Sequence, residues 1–435
     1  MLLLNAAHPP RGKRERQRIG LAIAGGGPIG AMWELGALRA LEDSIVGLDL
    51  DTLDVYVGVS SGSFLAAGLA NGISTVEMTR IFLTGDSADI PFRPEDFMRP
   101  AVLEYVKHAA TLPRAFLEWV WAAARNPFDT RLSDVLLRMG SLLPTGMFDN
   151  DSVEGFLRRV LAKDGRTNDF RALQRKLYVV AVELDSGKAV RFGSPGLDHV
   201  PISRAVEASA ALPGLYPPVK IGGRWYVDGA LARTLHASAA FDEGVSLVLG
   251  VNPLVPFDAD LAQAAGRRIP DTLARGGLPG VLSQTFRTLL TSRMQTGLSK
   301  YAHNYPRADM VLVEPHPDDV ELFFTNIFSY TQRVRIAELA FRTTRHDLAA
   351  RAAELTPLLA RHGLALDMER LATARTLHAS LPVYTGAARS AAALADALDE
   401  LDSALRQRRT RGPRSRRPRR PKATPPRDEG SHAAG

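Results

Sequence analysis

No cysteine occurs among the 435 residues, which excludes disulfides, thiolate metal sites and a cysteine nucleophile together. No stretch of about 18 apolar residues free of charge occurs either, so no segment is expected to span a bilayer as a helix. The start of the chain lacks the pattern of a secretory signal: Leu2, Leu3 and Leu4 come first and the basic residues follow them. The expectation is a protein that is cytoplasmic or peripheral at a membrane. The body of the chain also lacks the basic surplus suggested by the whole-chain charge of +7. Residues 403–435 carry eleven Lys or Arg against Asp428 and Glu429, and residues 1–18 carry five against Glu15. These two ends outweigh the total, so residues 19–402 are net acidic, and a fold built to neutralise nucleic-acid phosphates is not indicated.

What is present is enough apolar material for a sizeable core, 45% of the chain, in ordinary globular proportion to its charge. Ile19 to Ala24 is a short apolar run ending in glycines, and it reads as a buried strand entering a tight turn. Pro28 suits the first turn of a helix whose apolar face carries Met32, Leu35, Leu38 and Leu41. Leu53 to Val59 predicts a second strand, turning at Ser60 into a helix through Phe64 and Leu69. Two strand-then-helix units predict an α/β fold with a mainly parallel central sheet covered on both faces. Residues 75–165 read as mainly helical. Strand signals return at Leu177 to Leu184, at Ala189 to Phe192 pairing with it, at Trp225 to Val227, at Val245 to Val251 and at Met310 to Val313. The organisation that follows is a basic arm at 1–18, a catalytic domain at 19–330, a helical extension at 331–405 and a disordered basic tail at 406–435.

Three motifs carry chemistry. Gly25, Gly26, Gly27 and Gly30 lie at a strand-to-helix turn, where backbone N–H groups and a helix start favour an anion. The same residues satisfy the dinucleotide fingerprint G-x-G-x-x-G, but the next strand ends at Ser60 where that fingerprint needs an acid. Gly58, Val59, Ser60, Ser61 and Gly62 form a G-x-S-x-G elbow between a strand and a helix, the context in which such a serine is exposed as a nucleophile. Asp228, Gly229 and Ala230 place an aspartate at a strand end, a pattern that taken alone is an Asx turn.

Taken in this order, the motifs resemble the patatin-like phospholipase family, and the resemblance runs from residue 19 to about 255. The segment Ala208, Ser209, Ala210, Ala211, Leu212, Pro213, then Tyr216, Pro217, Pro218 and Val219, leading to Tyr226, also looks like that family. The resemblance implies a three-layer fold. It implies that Ser60 is the nucleophile and Asp228 its base, with Gly25, Gly26, Gly27 and Gly30 as the oxyanion loop, Gly58 and Gly62 as the elbow glycines, and Gly229 and Ala230 as the aspartate turn. The implied activity is serine hydrolysis of lipid acyl esters, of phospholipase A or lysophospholipase type, in lipid catabolism, with no cofactor and no metal in the chemistry. The implied partner is a lipid ester, with phospholipid favoured. Ile29 stands where the family usually has Arg or Lys, a departure that bears on substrate preference or loop anchoring.

Other readings compete. An α/β-hydrolase triad would join Ser60 and Asp228 to His236 or His303, but that fold places several strands before its elbow and only one is expected here. His316, Pro317, Asp318 and Asp319 resemble the zinc loop of N-acetylglucosaminyl deacetylases, yet such a site needs another ligand histidine in the fold that follows and fewer than about 120 residues, read as helical, remain, so a helix N-cap with its loop is expected. Phe116, Leu117, Trp119, Val120 and Trp121, between Arg114 and Arg125, suit an interfacial lid or an ordinary core helix. A non-catalytic lipid- or anion-binding protein would use the basic tail, which suits anionic membrane or nucleic-acid phosphate without sequence specificity, and equally suits plain solvation. The presence of both Ser60 and Asp228 opposes a dead core.

Overall fold

Five-residue runs in which every side chain is buried build the middle of the molecule: β4 (Val55–Val59), β9 (Leu247–Val251) and β10 (Asp309–Val313), with β2 (Ile19–Ile23) between the first two. They lie in the order β10-β9-β2-β4, all parallel, and β4 pairs in parallel with β5 (Lys176–Glu183). Successive side chains of a strand point to opposite faces. Leu21, Ile23, Leu249, Val251 and Val311 accordingly enter one core, and Ala22, Ala24, Val57, Val59 and Leu312 the other. Burial on both faces is why these strands appear in the sequence as continuous apolar runs.

One face is covered by α1 (Gly27–Ser44) and α2 (Ser61–Ala70), which follow β2 and β4, and the opposite face by the short helix Ser238–Phe241 and the long helix Gly277–Asn304. The architecture is therefore the three-layer α/β arrangement that the strand-helix alternation predicts. This computed structural model describes residues 1–5, 17–85, 146–269, 273, 277–325 and 330–382. The expected lid or core helix at 113–125, much of the helical stretch at 75–165, the end of the extension and the basic tail lie outside the described residues.

One feature differs from the sequence reading. Leu2–Asn5, placed in the basic arm, forms a strand, β1, that pairs antiparallel with β10, Leu2 opposite Val313. With the two-residue β3 (Ile45–Val46), three strands rather than one precede β4. The chain after 330, expected as a helical extension packed on the main domain, shares that domain's core. Ile336, Ala337, Ala340 and Phe341 of the helix Tyr330–Ala350 enter the same core as α1. The helices cross so closely at Gly36 that a Cβ there would meet the Ala337 carbonyl oxygen at 2.1 Å. Asp43 of α1, buried, pairs with Arg345 and, at 2.7 Å, with Arg375.

Beyond β5 the sheet turns antiparallel through β6 (Lys188–Phe192), β7 (Val219–Ile221) and β8 (Arg224–Asp228). β5 positions the candidate site. Val180 pairs with Val59 on β4, and the next residue, Ala181, pairs with Asp228 on β8. Because Val180 and Ala181 both pair with β6 on the other side, β4 and β8 share one edge of β5. The residue after Val59 and the last residue of β8 thus meet at a single seam.

Candidate active site

Ser60 sits where β4 ends and α2 begins, with backbone angles φ 49° and ψ −125°. A left-handed φ at a residue with a Cβ is strained, by about 1–3 kcal/mol, and persists only where the surroundings hold it. Here they do. The Ser60 N–H donates to Ser209 Oγ at 2.8 Å, Ser209 Oγ donates to the Val180 carbonyl at 2.5 Å, and Ser63 donates its hydroxyl to the Ser60 carbonyl at 2.5 Å. The turn also needs bare backbone at Gly62, where a Cβ would fall 2.3 Å from the Ala24 carbonyl oxygen.

The Ser60 hydroxyl donates to Asp228 Oδ2 at 2.5 Å. The other carboxylate oxygen, Oδ1, accepts the Ala230 N–H at 2.8 Å, which is the expected Asx turn now serving to orient the acid. Gly229 is forced by contact, since a Cβ there would meet the Val180 carbonyl oxygen at 2.1 Å. Asp228 is 2% exposed. Burial pushes its carboxyl up to about 6, against the opposing pull of the Ser60 and Ala230 hydrogen bonds.

The glycine loop closes over the serine. Gly25 approaches so near that a Cβ would stand 2.7 Å from the Ser60 Cβ, and Gly27 adopts φ 64°. The Gly26 N–H donates to Ser61 Oγ at 2.8 Å and the Gly30 N–H to the Gly26 carbonyl at 3.1 Å, so these two glycines anchor the loop and begin α1. The N–H groups of Gly25, Gly27 and Ser61 carry no hydrogen bond to an acceptor among the described residues.

A strained serine bonded to a buried aspartate, beneath a glycine turn that opens a helix, follows the order of the three sequence motifs. The family model for patatin-like phospholipases matches residues 21–241, half of the chain. The chain belongs to the patatin-like phospholipase family. This membership supports lipid hydrolase activity and a lipid substrate. Among curated proteins, the chain is similar to the uncharacterized protein R571 of Acanthamoeba polyphaga mimivirus, 24% identical over 246 residues that cover 56% of this chain and 67% of that one. Among solved structures it is similar to VipD from Legionella pneumophila, at 15% identity and TM-score 0.36, covering 77% of this chain and 67% of that one. It is also similar to human GIVD cytosolic phospholipase A2 in complex with methyl gamma-linolenyl fluorophosphonate, at 13% identity and TM-score 0.30, covering 80% of this chain and 59% of that one.

Within this patatin-like body, several residues hold the site without being legible as motifs. Ser209 links β4 to β5 through its single hydroxyl; the sequence marks its segment but not its role. Pro253 packs beneath the loop, where a Cβ at Gly26 would meet its ring at 2.4 Å. Glu34, fully buried on α1, has its carboxyl pushed well above the usual range by burial, with the Ser61 hydroxyl as the opposing partner. It stands behind the residue that anchors Gly26.

The histidines considered for a triad are placed otherwise. His303 is exposed on the long helix. His236 is buried, with φ 42°; burial, then the charges of Arg233 and Arg191, pushes its pKa down to about 4. The Ser60 hydroxyl goes directly to Asp228. At the metal-loop resemblance, His316 pairs with Asp347 at 3.1 Å, and Asp319 caps the helix Val320–Phe324 by accepting the Leu322 N–H. No cluster of three metal-ligating side chains occurs among the described residues. Among those residues no helix is long and apolar enough to cross a membrane.

Proposed function

We propose that the chain hydrolyses acyl esters of phospholipids or related lipids through a Ser60 acyl-enzyme, with Asp228 as the only general base. The observation that carries this reading is the 2.5 Å hydrogen bond from Ser60 Oγ to Asp228 Oδ2. As Oγ attacks the ester carbonyl carbon, its proton passes to Oδ2. The carbonyl oxygen becomes an oxyanion, met by the free N–H groups of Gly25, Gly27 and Ser61. When the tetrahedral intermediate collapses, the carbon–oxygen bond to the alcohol breaks and Asp228 returns the proton to the leaving oxygen. A water then repeats the sequence in reverse, losing its proton to Asp228 and freeing the fatty acid as Ser60 recovers its own.

A carboxyl raised to about 6 suits both roles: it is mainly ionised near neutrality, and its conjugate acid is strong enough to protonate an alkoxide. Gly26 and Gly30 act in this scheme as supports of the loop, not as donors. The test is fatty-acid release from phospholipid vesicles by the wild type, Ser60→Ala and Asp228→Asn, with circular dichroism confirming the fold of each. Release by the wild type alone supports the dyad. Equal release by all three would end the proposal.

A further inference from the structure

A polar cleft, of about 410 Å³, opens beside the aspartate turn. Its wall includes Ala232, four residues after Asp228, but neither Asp228 nor Ser60. Arg191, Arg233, Arg293 and Lys300 line it, with Asp242 as the one carboxylate and Tyr305 beside it. Asp242 is already matched: it accepts from Arg191 at 2.7 Å and from the Tyr305 hydroxyl at 2.5 Å. Against a partial loss of solvent, those two bonds hold its carboxyl below the ordinary range, so it stays ionised and fixes the Arg191 head. Arg293 is fixed as well, with one guanidinium nitrogen donating to the Leu231 carbonyl at 2.9 Å and the remaining donors of its planar fork left over. No carboxylate pairs with Arg233, Arg293 or Lys300 among the described residues.

Three uncompensated cations converging on one cleft repel one another unless an anion joins them. The buried His236 nearby registers the same field, since the charges of Arg233 and Arg191 add to burial in keeping its ring neutral. Guanidinium forks match the oxygens of a phosphate, and the cleft volume admits a phosphate with a small polyol attached. The cleft lies close to the chemistry. Arg191 pairs across Val180 from Val59, so two strand spacings, about 10 Å, separate its backbone from the residue before the serine.

We propose that this cleft binds the phosphate of a phosphate-bearing ligand, seated between Arg233, Arg293 and Lys300. As a headgroup seat it rests on the phospholipase reading; as a phosphate site it stands apart from it.

The experiment uses the full chain carrying Ser60→Ala, so that no lipid is consumed. Calorimetric titration with inorganic phosphate and with glycerol 3-phosphate should give saturable binding. Arg233→Ala and Lys300→Glu, both at exposed positions, should each weaken it by about tenfold, and the double variant by more. Unchanged melting temperatures exclude a folding cause. Sedimentation with vesicles of phosphatidylcholine, alone or mixed with phosphatidic acid, separates the two sources of phosphate. The basic tail is common to all variants, so a loss of phosphatidic-acid binding on mutation reports the cleft and identifies a lipid headgroup. A loss confined to the soluble phosphates identifies a free phosphate compound. No saturable phosphate binding, or binding that both substitutions leave unchanged, would overturn the proposal and leave the serine chemistry standing. Absence of ester hydrolysis by the wild-type chain would overturn the serine reading and leave phosphate binding untouched.

Discussion

The two halves of the central sheet obey different rules. β10, β9, β2 and β4 are parallel and almost wholly buried, whereas β6, β7 and β8 are antiparallel and half-exposed, and only β5 belongs to both. Ser60 is delivered by the first half and Asp228 by the second. On the proposed mechanism, the contrast teaches that the buried parallel half fixes where Ser60 stands, while the antiparallel half decides whether Asp228 reaches it. Substitutions at the seam should therefore affect chemistry more than stability, and substitutions behind it the reverse.

The sharpest break comes from the pair itself. Ser60→Ala and Asp228→Asn should each lower turnover by roughly 10³-fold or more, measured on an ester substrate, with their combination no worse than either alone because the two act as a unit. Next comes Gly25→Ala, whose methyl would press on the Ser60 Cβ from 2.7 Å; displacement of one oxyanion donor on the proposed mechanism should cost about 100-fold in kcat, alongside about 1–3 kcal/mol of stability from overpacking.

Asp228→Asn should separate activity from stability. Burial raises the Asp228 pKa to about 6, so the folded chain holds that proton more tightly than the unfolded chain does. The contribution is favourable below the unfolded value near 4 and is lost as pH rises through about 6. The inactive Asn variant should therefore be more stable than wild type at about pH 7.5, by on the order of 1–3 kcal/mol, and lose that advantage near pH 4. The same titration gives wild-type kcat/KM an acid limb that rises through about pH 6. A limb well below this, or an Asn variant that melts lower at neutral pH, would contradict the buried-base reading. Smaller still, Ser209→Ala should cost about 1–2 kcal/mol in urea unfolding, since the Ser60 N–H and the Val180 carbonyl both lose a partner. Glu34→Gln keeps the size of a side chain whose charged form burial disfavours, and kcat should change by less than about twofold at neutral pH.

The same division explains what could be read in advance. Parallel strands buried on both faces appear as unbroken apolar runs, so β2, β4, β9 and β10 were evident, and with them the elbow at Ser60 and the glycine turn. β1 was not, because four residues followed by a basic stretch carry no period of their own and their partner, β10, lies about 300 positions away. The division of labour within the glycine loop was equally hidden. Gly25, Gly26, Gly27 and Gly30 look alike as letters, and only the hydroxyl of Ser61, reaching across from another helix, distinguishes a spent N–H from a free one. Ser209 escaped for a similar reason, since its bond spans 149 positions.

The adjacency of Val180 and Ala181 on β5 has a further consequence. If β8 slid by a single position against its neighbour, the Asp228 side chain would emerge on the far side of the sheet, out of reach of the Ser60 hydroxyl. No gradual misalignment lies between the working and the idle arrangement. During refolding, hydrolytic competence should accordingly arrive with the locking of that one strand.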